Sequence, residues 1–290
     1  MTQNNRSIGL LAATTVLALW PAMHLVAADR VDELLREAAA AIAAGDTKQA
    51  LKLADEAAAL DDRDARPFAF RATLHAREGR HEAAVDDYTT SLERAPDQAE
   101  VLDRRGSELF KLARIDDSIR DFDRAIQLEP KRDRAHWQRG IAYYYAGRFD
   151  EGRRQFERYQ TVDANDVENI VWRWLCMARS VGVDEARKAL LPVMRDSRVP
   201  MMEIHALNAG RATPEQVLAA AEAGNPSPAE LNTRRFYAHL YLGLYHEGLD
   251  EHEEAIKHLE RAVSRHKVDH YMWHVGRVHL ELSRAKPNPT

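Results

Sequence analysis

Small and large apolar positions recur along the first half of this chain at a fixed spacing. Gly106 and Gly140 mark the interval, and Ala72 and Ala38 continue the series backwards in equal steps. Seven residues after each of these anchors comes a turn position: Gly45, Gly79, Ala113 and Gly147. Twelve after come small residues, Ala50, Ala84, Ser118 and Gly152, and sixteen after come Ala54, Tyr88, Phe122 and Phe156. A period of this length marks a stacked repeat, in which no single unit can bury its apolar face alone. Each column has a physical reason. The anchor is small because a partner helix crosses close to it, the residue twelve on faces it, and the large apolar residue fills the space beside the contact. Pro96 and Pro130, at one shared offset beyond their anchors, end the second helix of their units, because the ring removes the helical option from the residue before it. The pattern predicts four pairs of antiparallel helices over 31–64, 65–98, 99–132 and 133–166.

A charged column follows the same period. Arg71, Arg105 and Arg139 each precede an anchor, and Asp87, Asp121 and Gln155 stand sixteen residues later. The spacing predicts Arg71–Asp87 and Arg105–Asp121 pairs inside single repeats, with Gln155 in the acid's place beside Arg139.

Beyond Ala164 the period fails. VENIVWRWLCMARSVG reads as a helix with Ile170, Trp174, Met177 and Ala178 on one face. VDEARKALLPVMRD follows, bent or ended by Pro192, then VPMMEIHALNAG. Thr213 and Pro214 open another helix as N-cap and first residue. NPSPAE, 225–230, reads as a turn and the most flexible break. These residues, 167–232, form an irregular helical section. The repeat returns over 233–286, with Gly243 as anchor, Ala255 twelve residues on, and a closing helix around Gly276; 287–290 is a tail.

These motifs, RGSELFKLARIDDSIRDFDRAIQLEP and RGIAYYYAGRFDEGRRQFERY among them, resemble the tetratricopeptide repeat. The resemblance implies an all-α helix-turn-helix solenoid, a right-handed superhelix whose first helices line a concave groove. The order of parts is similar to the bacterial tetratricopeptide lipoproteins of the NlpI type. AHWQRGIAYYYAGR, LNAGRATPEQVLAAA and RFYAHLYLGLYHEG carry that likeness over most of 65–283. It implies a non-catalytic, dimeric adaptor of the cell envelope that holds peptidoglycan hydrolases and a processing protease. The lipid-bearing cysteine of that family is missing here, which points to a soluble periplasmic form.

Groove-facing positions follow from the repeat phase. They are Arg66, Thr73 and Arg77, then Glu100, Asp103, Ser107 and Lys111, then Arg134, Trp137, Ile141, Tyr144 and Tyr145. Exposed aromatics beside arginine are what protein-binding surfaces use, so these positions predict a surface for proteins or peptides. A rival expectation is that the C-terminal half folds over the groove and buries the aromatics. Tyr159 takes a slot that Ala125 holds one repeat earlier, which predicts a wider junction there.

Composition narrows the function further. The chain has 290 residues and a net charge of −5, so it lacks the basic footprint that nucleic acid demands. Residues 7–28 carry no charged side chain and end in small residues, so 1–28 reads as a secretory signal peptide, with maturation near Asp29. The alternative is an uncleaved membrane anchor over 7–28. The single cysteine, Cys176, sits in an apolar stretch and reads as a buried thiol. No nucleophile elbow, phosphate-binding glycine loop or zinc-enzyme motif occurs, which predicts a protein without catalysis, cofactor or metal. Eight of the 13 histidines fall between His239 and His279. His270 and His274 have a spacing able to hold zinc, so a periplasmic ligand- or metal-binding protein is the alternative function. His75, His246 and His279, however, all stand three residues after an anchor, which argues that they fill repeat slots.

Overall fold

The computed structural model describes residues 28–285, and every regular element in that range is helical. The signal-peptide expectation, 1–28, lies outside it but for residue 28, and the tail expectation, 287–290, lies wholly outside it. The chain divides between Arg105 and Gly106 into two compact units.

The first unit contains α1 (28–43), α2 (Thr47–Leu60), α3 (Ala65–Arg77), α4 (His81–Arg94) and the start of α5 (Ala99–Lys111). Local chemistry sets the helix starts. Asp46 and Asp64 accept from the backbone N–H groups of Gln49 and Arg66, both at 2.9 Å, which satisfies donors that a helix leaves unpaired at its N-terminus. Gly45 and Gly79 take φ of 80° and 73° in the turns, the left-handed region that costs glycine nothing. One core cluster is Val31, Leu34, Ala38, Ala50, Leu53, Ala57 and Leu74, and Phe68, Ala72, Ala84, Val85, Tyr88 and Leu92 are buried as well.

The second unit holds the rest of α5, then α6 (Ile115–Leu128), a short 3-10 turn (Pro130–Ala135), α7 (Trp137–Tyr145) and α8 (Phe149–Tyr159). It continues with α9 (Val167–Val181), α10 (Val183–Lys188), α11 (Met201–Asn208) and α12 (Pro214–Glu222). It closes with α13 (Pro228–Gly248), α14 (His252–Arg265) and α15 (Tyr271–Ala285). The anchors work as their size requires. A Cβ added at Gly106 would lie 2.7 Å from the Phe122 ring, at Gly140 2.7 Å from Phe156, and at Gly243 2.7 Å from Leu259. Each contact joins an anchor to the residue sixteen positions later, so the large side chain needs the hydrogen of a glycine in front of it. Ala113 and Asp250 hold the turn slot seven residues after their anchors with φ of 57° and 59°, a conformation that strains any residue with a Cβ.

The arginine column forms a ladder. Arg71 grips Asp87 through Nε and Nη2 at 2.7 and 2.6 Å, as its spacing predicts, and reaches back to Asp55 at 2.7 Å. Arg105 donates to Thr89 Oγ1 at 3.1 Å, also sixteen residues back; its predicted acid partner, Asp121, belongs to the other unit. Arg139 donates to Gln155 at 3.0 and 2.5 Å and to Asp123 at 3.1 Å, and it also meets Asp133. Gln155 therefore replaces the acid in position while Asp123 and Asp133 replace it in charge.

The ladder runs one rung further than the small-residue columns. Arg173 stands one full period after Arg139. It donates to Glu157, sixteen residues back, at 3.1 and 2.9 Å, and to the Ala189 carbonyl, sixteen residues on, at 2.8 Å. So α9 and α10 keep the register of a repeat inside the section read as irregular. The anchor slot there holds Trp174, and α9 is buried nearly all round rather than on one face: Val171, Trp172, Trp174, Leu175 and Cys176 are all at most 1% exposed. A helix apolar on every side belongs in a core, and α9 is the centre of this unit. The Cys176 thiol is buried as expected, and burial pushes its pKa well up.

Two boundaries differ from the sequence pattern. α13 starts at Pro228, capped by Ser227, whose Oγ accepts from the Glu230 N–H at 3.3 Å. It therefore runs through the position where the returning repeat was expected to begin. The 225–230 turn is also bridged: Arg234 donates to the Ala223 carbonyl at 3.0 Å, and Arg235 meets Glu222 at 2.6 Å.

Candidate functional site: an open groove and a covered one

In the first unit, α1, α3 and α5 present the first-helix face that the repeat phase assigns to the groove. That face is open and encloses about 480 Å³. Leu35, Ile42 and Phe70 are half-buried in its floor, and Val101 closes it from below. Arg66, Arg77 and Arg104 stand in its walls. Two of these guanidiniums are held. Arg66 is chelated by Asp64 at 3.0 and 2.5 Å and reaches Asp32 at 2.5 Å; those bonds raise its pKa above the ordinary arginine value. Arg104 donates to Glu100 at 2.9 Å and to Thr73 Oγ1 at 3.0 Å, and Thr73 shares a 3.1 Å bond with the Tyr88 hydroxyl. Arg77 is exposed and has no ion-pair partner among the described residues. The groove thus offers apolar contact area, fixed donors and one uncompensated positive charge. It can grip a chain segment that carries an acid.

Arg66, Thr73, Arg77 and Glu100 are the expected groove residues that this site brings together. Arg104 joins them and was absent from the predicted set, although its exposed position on the same helix face as Glu100 was readable.

The aromatic half of the expected surface behaves differently. Tyr144 is 7% exposed and packs its ring at 5.4–5.6 Å from Tyr145, Phe149 and Trp172. Burial pushes its hydroxyl pKa up. Its ring is buried among these neighbours, so its expected exposure in the groove is corrected. Tyr145 donates to or accepts from His279 Nδ1 at 3.0 Å. Trp137 is half-buried, edge-on to Tyr271 at 5.3 Å, and Phe110 stacks on the other side of Tyr271 at 5.6 Å. Lys111 is paired with Glu108 at 2.7 Å and lies over the Tyr271 ring. Tyr271 and His279 both belong to α15. In the second unit the closing helix occupies the concave face, which is the covered alternative. Asp103 is partly buried, and Arg134 is exposed on the 3-10 turn, away from this aromatic cluster.

The histidine-rich end forms a column of rings. His239 stacks on His266 at 5.8 Å and faces His258 at 5.1 Å, and His258 stacks on His246 at 5.5 Å. His239 and His258 share an Nδ1–Nδ1 hydrogen bond of 2.9 Å. Among the described residues no three His, Cys, Asp or Glu side chains are placed to hold a metal ion. His270 lies outside α15 and accepts the Met272 N–H at 3.3 Å, so it does not share a helix face with His274.

Comparison with known proteins agrees with this geometry. Residues 104–167 match the tetratricopeptide repeat family. That stretch covers the end of α5 through α8, where the small anchors and the arginine rungs are most regular. A tetratricopeptide repeat protein from Parabacteroides merdae superposes with a TM-score of 0.59 at 17% identity, covering 88% of this chain and 99% of that one. The fold is the tetratricopeptide helical repeat. The MamA protein gives a TM-score of 0.53 at 15% identity over 69% of this chain and all of its own. At such identities the likeness speaks for the tetratricopeptide fold alone.

Proposed function

We propose that this protein is a non-catalytic adaptor, and that the groove of α1, α3 and α5 binds a segment of a partner protein. The observation that carries the reading is the contrast between the two units. One concave face is filled by the chain's own α15, while the other is open, apolar in its floor and lined by three arginines. A bound segment would place an apolar side chain against Phe70 and Ile42 and an acid beside Arg77. Buried apolar anchors with a charged rim are how such surfaces obtain both affinity and register.

The uncharged run at 7–28 supports export, with the periplasm or cell envelope as the working compartment. Partners there include peptidoglycan hydrolases and a protease, in line with the NlpI-type resemblance, and a homodimer is part of the same reading. Among the described residues no helix is long and apolar enough to cross a membrane.

The test is affinity capture from envelope extract with wild-type protein, Phe70→Ser and Arg77→Glu, followed by direct binding to the captured proteins. Capture that is lost in both variants, with circular dichroism unchanged, supports the groove. Equal capture by all three proteins removes it from the mechanism. N-terminal sequencing of exported protein reads the cleavage site, and a first residue far from Asp29 ends the signal-peptide reading.

A further inference from the structure

A separate hollow lies in the second unit, where the end of α10, the 189–200 connection and α11 meet, and it encloses about 460 Å³. At ~30 Å³ of liquid volume per water, that is room for about fifteen water-sized groups, the scale of a small organic ligand. Its walls are apolar. Leu191 and Val193 come from the connection, and Met202, Ala206 and Ala209 from one side of α11. His205, 6% exposed, ties the two walls together by donating from Nε2 to the Leu191 carbonyl at 2.9 Å.

The charged groups around the hollow have one sign. Arg187, Lys188 and Arg211 line it, and among the described residues that do so none is acidic. In a chain of net charge −5 that is a local reversal. Lys188 is occupied by Glu185 at 2.7 Å, an ordinary pair along one helix. The two arginines are freer. Arg187 donates from Nη2 to the Tyr245 hydroxyl at 3.1 Å, which orients it, while its ion pair with Asp184 is long, 3.9 Å, to an acid that is 89% exposed. Nε of the same guanidinium is buried and has no hydrogen-bond partner. An added Cβ at Gly210 would lie 3.5 Å from that Nε, so the guanidinium rests against the turn that carries Arg211. Arg211 is exposed, and its side chain has no partner among the described residues.

We propose that this hollow binds an amphiphilic carboxylate, a medium-length acyl chain whose head group meets Arg187 and Arg211. The apolar walls favour a hydrocarbon body. The unpartnered N–H calls for an acceptor, since a buried donor left unpaired is costly and a bound oxygen offsets that cost. The basic rim sets the sign of the head group, and the planar set of guanidinium N–H groups matches a carboxylate through two parallel bonds. A cationic ligand would meet like charge, and inorganic phosphate would leave the walls wet. The site is separate from the peptide groove of the first unit, so either can fail without the other.

The experiment is titration calorimetry of the whole protein with sodium octanoate. The comparison ligands are 1-octanol as the neutral chain, octylammonium chloride as the chain of opposite charge, and acetate and inorganic phosphate as heads without a chain. Octanoate should bind saturably and about tenfold or more tighter than each of the others, the loss expected when charge-assisted hydrogen bonds or apolar contact are removed. Added salt should weaken it, because the head group sits at a partly exposed rim. Arg187→Gln and Arg211→Gln should each remove most of the preference for octanoate over octanol, and Val193→Asp, which puts a like charge in the wall, should abolish octanoate binding. Arg211 is exposed and Val193 half-buried, so those two variants keep the test open if loss of the Tyr245 bond unfolds Arg187→Gln. Octanoate and octanol binding equally to wild type overturns the proposal, and so does full octanoate affinity in Arg211→Gln and Val193→Asp with circular dichroism unchanged. No saturable binding by folded wild-type protein up to about 5 mM does the same. An acetylated leucine dipeptide binding more tightly than octanoate also overturns it, because the hollow would then be a dock for protein C-termini.

Discussion

Acid should loosen the second unit through its histidine column. His239 and His258 are 9% and 8% exposed and joined by their Nδ1 atoms. Burial, then each ring's neighbouring histidines, pushes both from 6.5 down to about 4. The groups facing them are mostly basic: Arg235 from α13, Arg261 and Arg265 from α14, and His266, whose own pKa is also lowered. Glu222, Glu251 and Glu254 stand at the edges, Glu222 bound to Arg235, Glu251 to His246 and Glu254 to Lys257. A folded-state pKa below the unfolded value means that the unfolded chain binds more protons as pH falls through 6.5. Stability is then lost on acidification and is fully present above about pH 7.5. By pH 5 the gap of ~1.5 pH units below the unfolded value is worth ~2 kcal/mol per ring, and water on the open side of the stack reduces that to about 1. The pair therefore withdraws roughly 2 kcal/mol between pH 7.5 and 5. Glu168 opposes part of this, because its folded form keeps a proton between 4.5 and about 7 that the unfolded chain has released. Differences between proteins isolate the histidines. Urea unfolding of wild type and of the His239→Gln/His258→Asn double variant, each at pH 7.5 and 5, should show the wild type losing about 2 kcal/mol more. Equal losses in the two proteins would refute the assignment of the acid sensitivity to this stack.

Three further outcomes follow from the packing. Gly140→Ala puts a Cβ 2.7 Å from Phe156 and should cost about 1–3 kcal/mol despite alanine's better helix propensity, with part of the loss recovered when Phe156→Leu is added; additive effects in the double variant would contradict the contact. Ala113→Gly relieves a φ of 57° and should stabilise by about 0.5–1 kcal/mol in the same urea assay, whereas destabilisation would show that the turn tolerates its Cβ. Cys176 is 0% exposed with a raised thiol pKa, so a thiol-reactive disulfide reagent should label it only as fast as the protein opens; labelling within the mixing time under native conditions would rule out the burial.

The repeat was legible because its rules are local. A small anchor and a large residue sixteen positions on meet within one helix pair, so Gly106 with Phe122 and Gly140 with Phe156 could be read directly from spacing. The same logic concealed α9. Its anchor slot holds Trp174, and the space for that ring is made by Gly248 in α13, where a Cβ would lie 3.0 Å from Trp174 Cζ3. Small and large have changed places, with the small member four helices further along the chain. Only Arg173 kept the register, and a search keyed on small residues passes over it. Tyr144 and Trp137 went astray for a related reason. Their phase is correct for a first-helix face, but what covers that face comes from α15, as in the Tyr145–His279 bond across 134 residues.

One column of the repeat carries the argument for function. Arg77, Lys111 and Tyr145 stand one period apart, each five after its anchor. Arg77 faces an open groove and has no ion-pair partner among the described residues. Lys111 is tied to Glu108 and lies over Tyr271, and Tyr145 is bonded to His279. Identical backbone geometry has thus been given three different side chains, and the two in the second unit are satisfied from inside the chain. An arginine side chain left without a charge partner at the mouth of an apolar groove gains nothing for folding, since exposed charges contribute little even when paired. Its worth lies in what it can do to another molecule. The unit whose concave face is already filled has the larger buried core. The unit that leaves its face open has a groove with unused binding capacity, and that is where a partner's segment has something to gain.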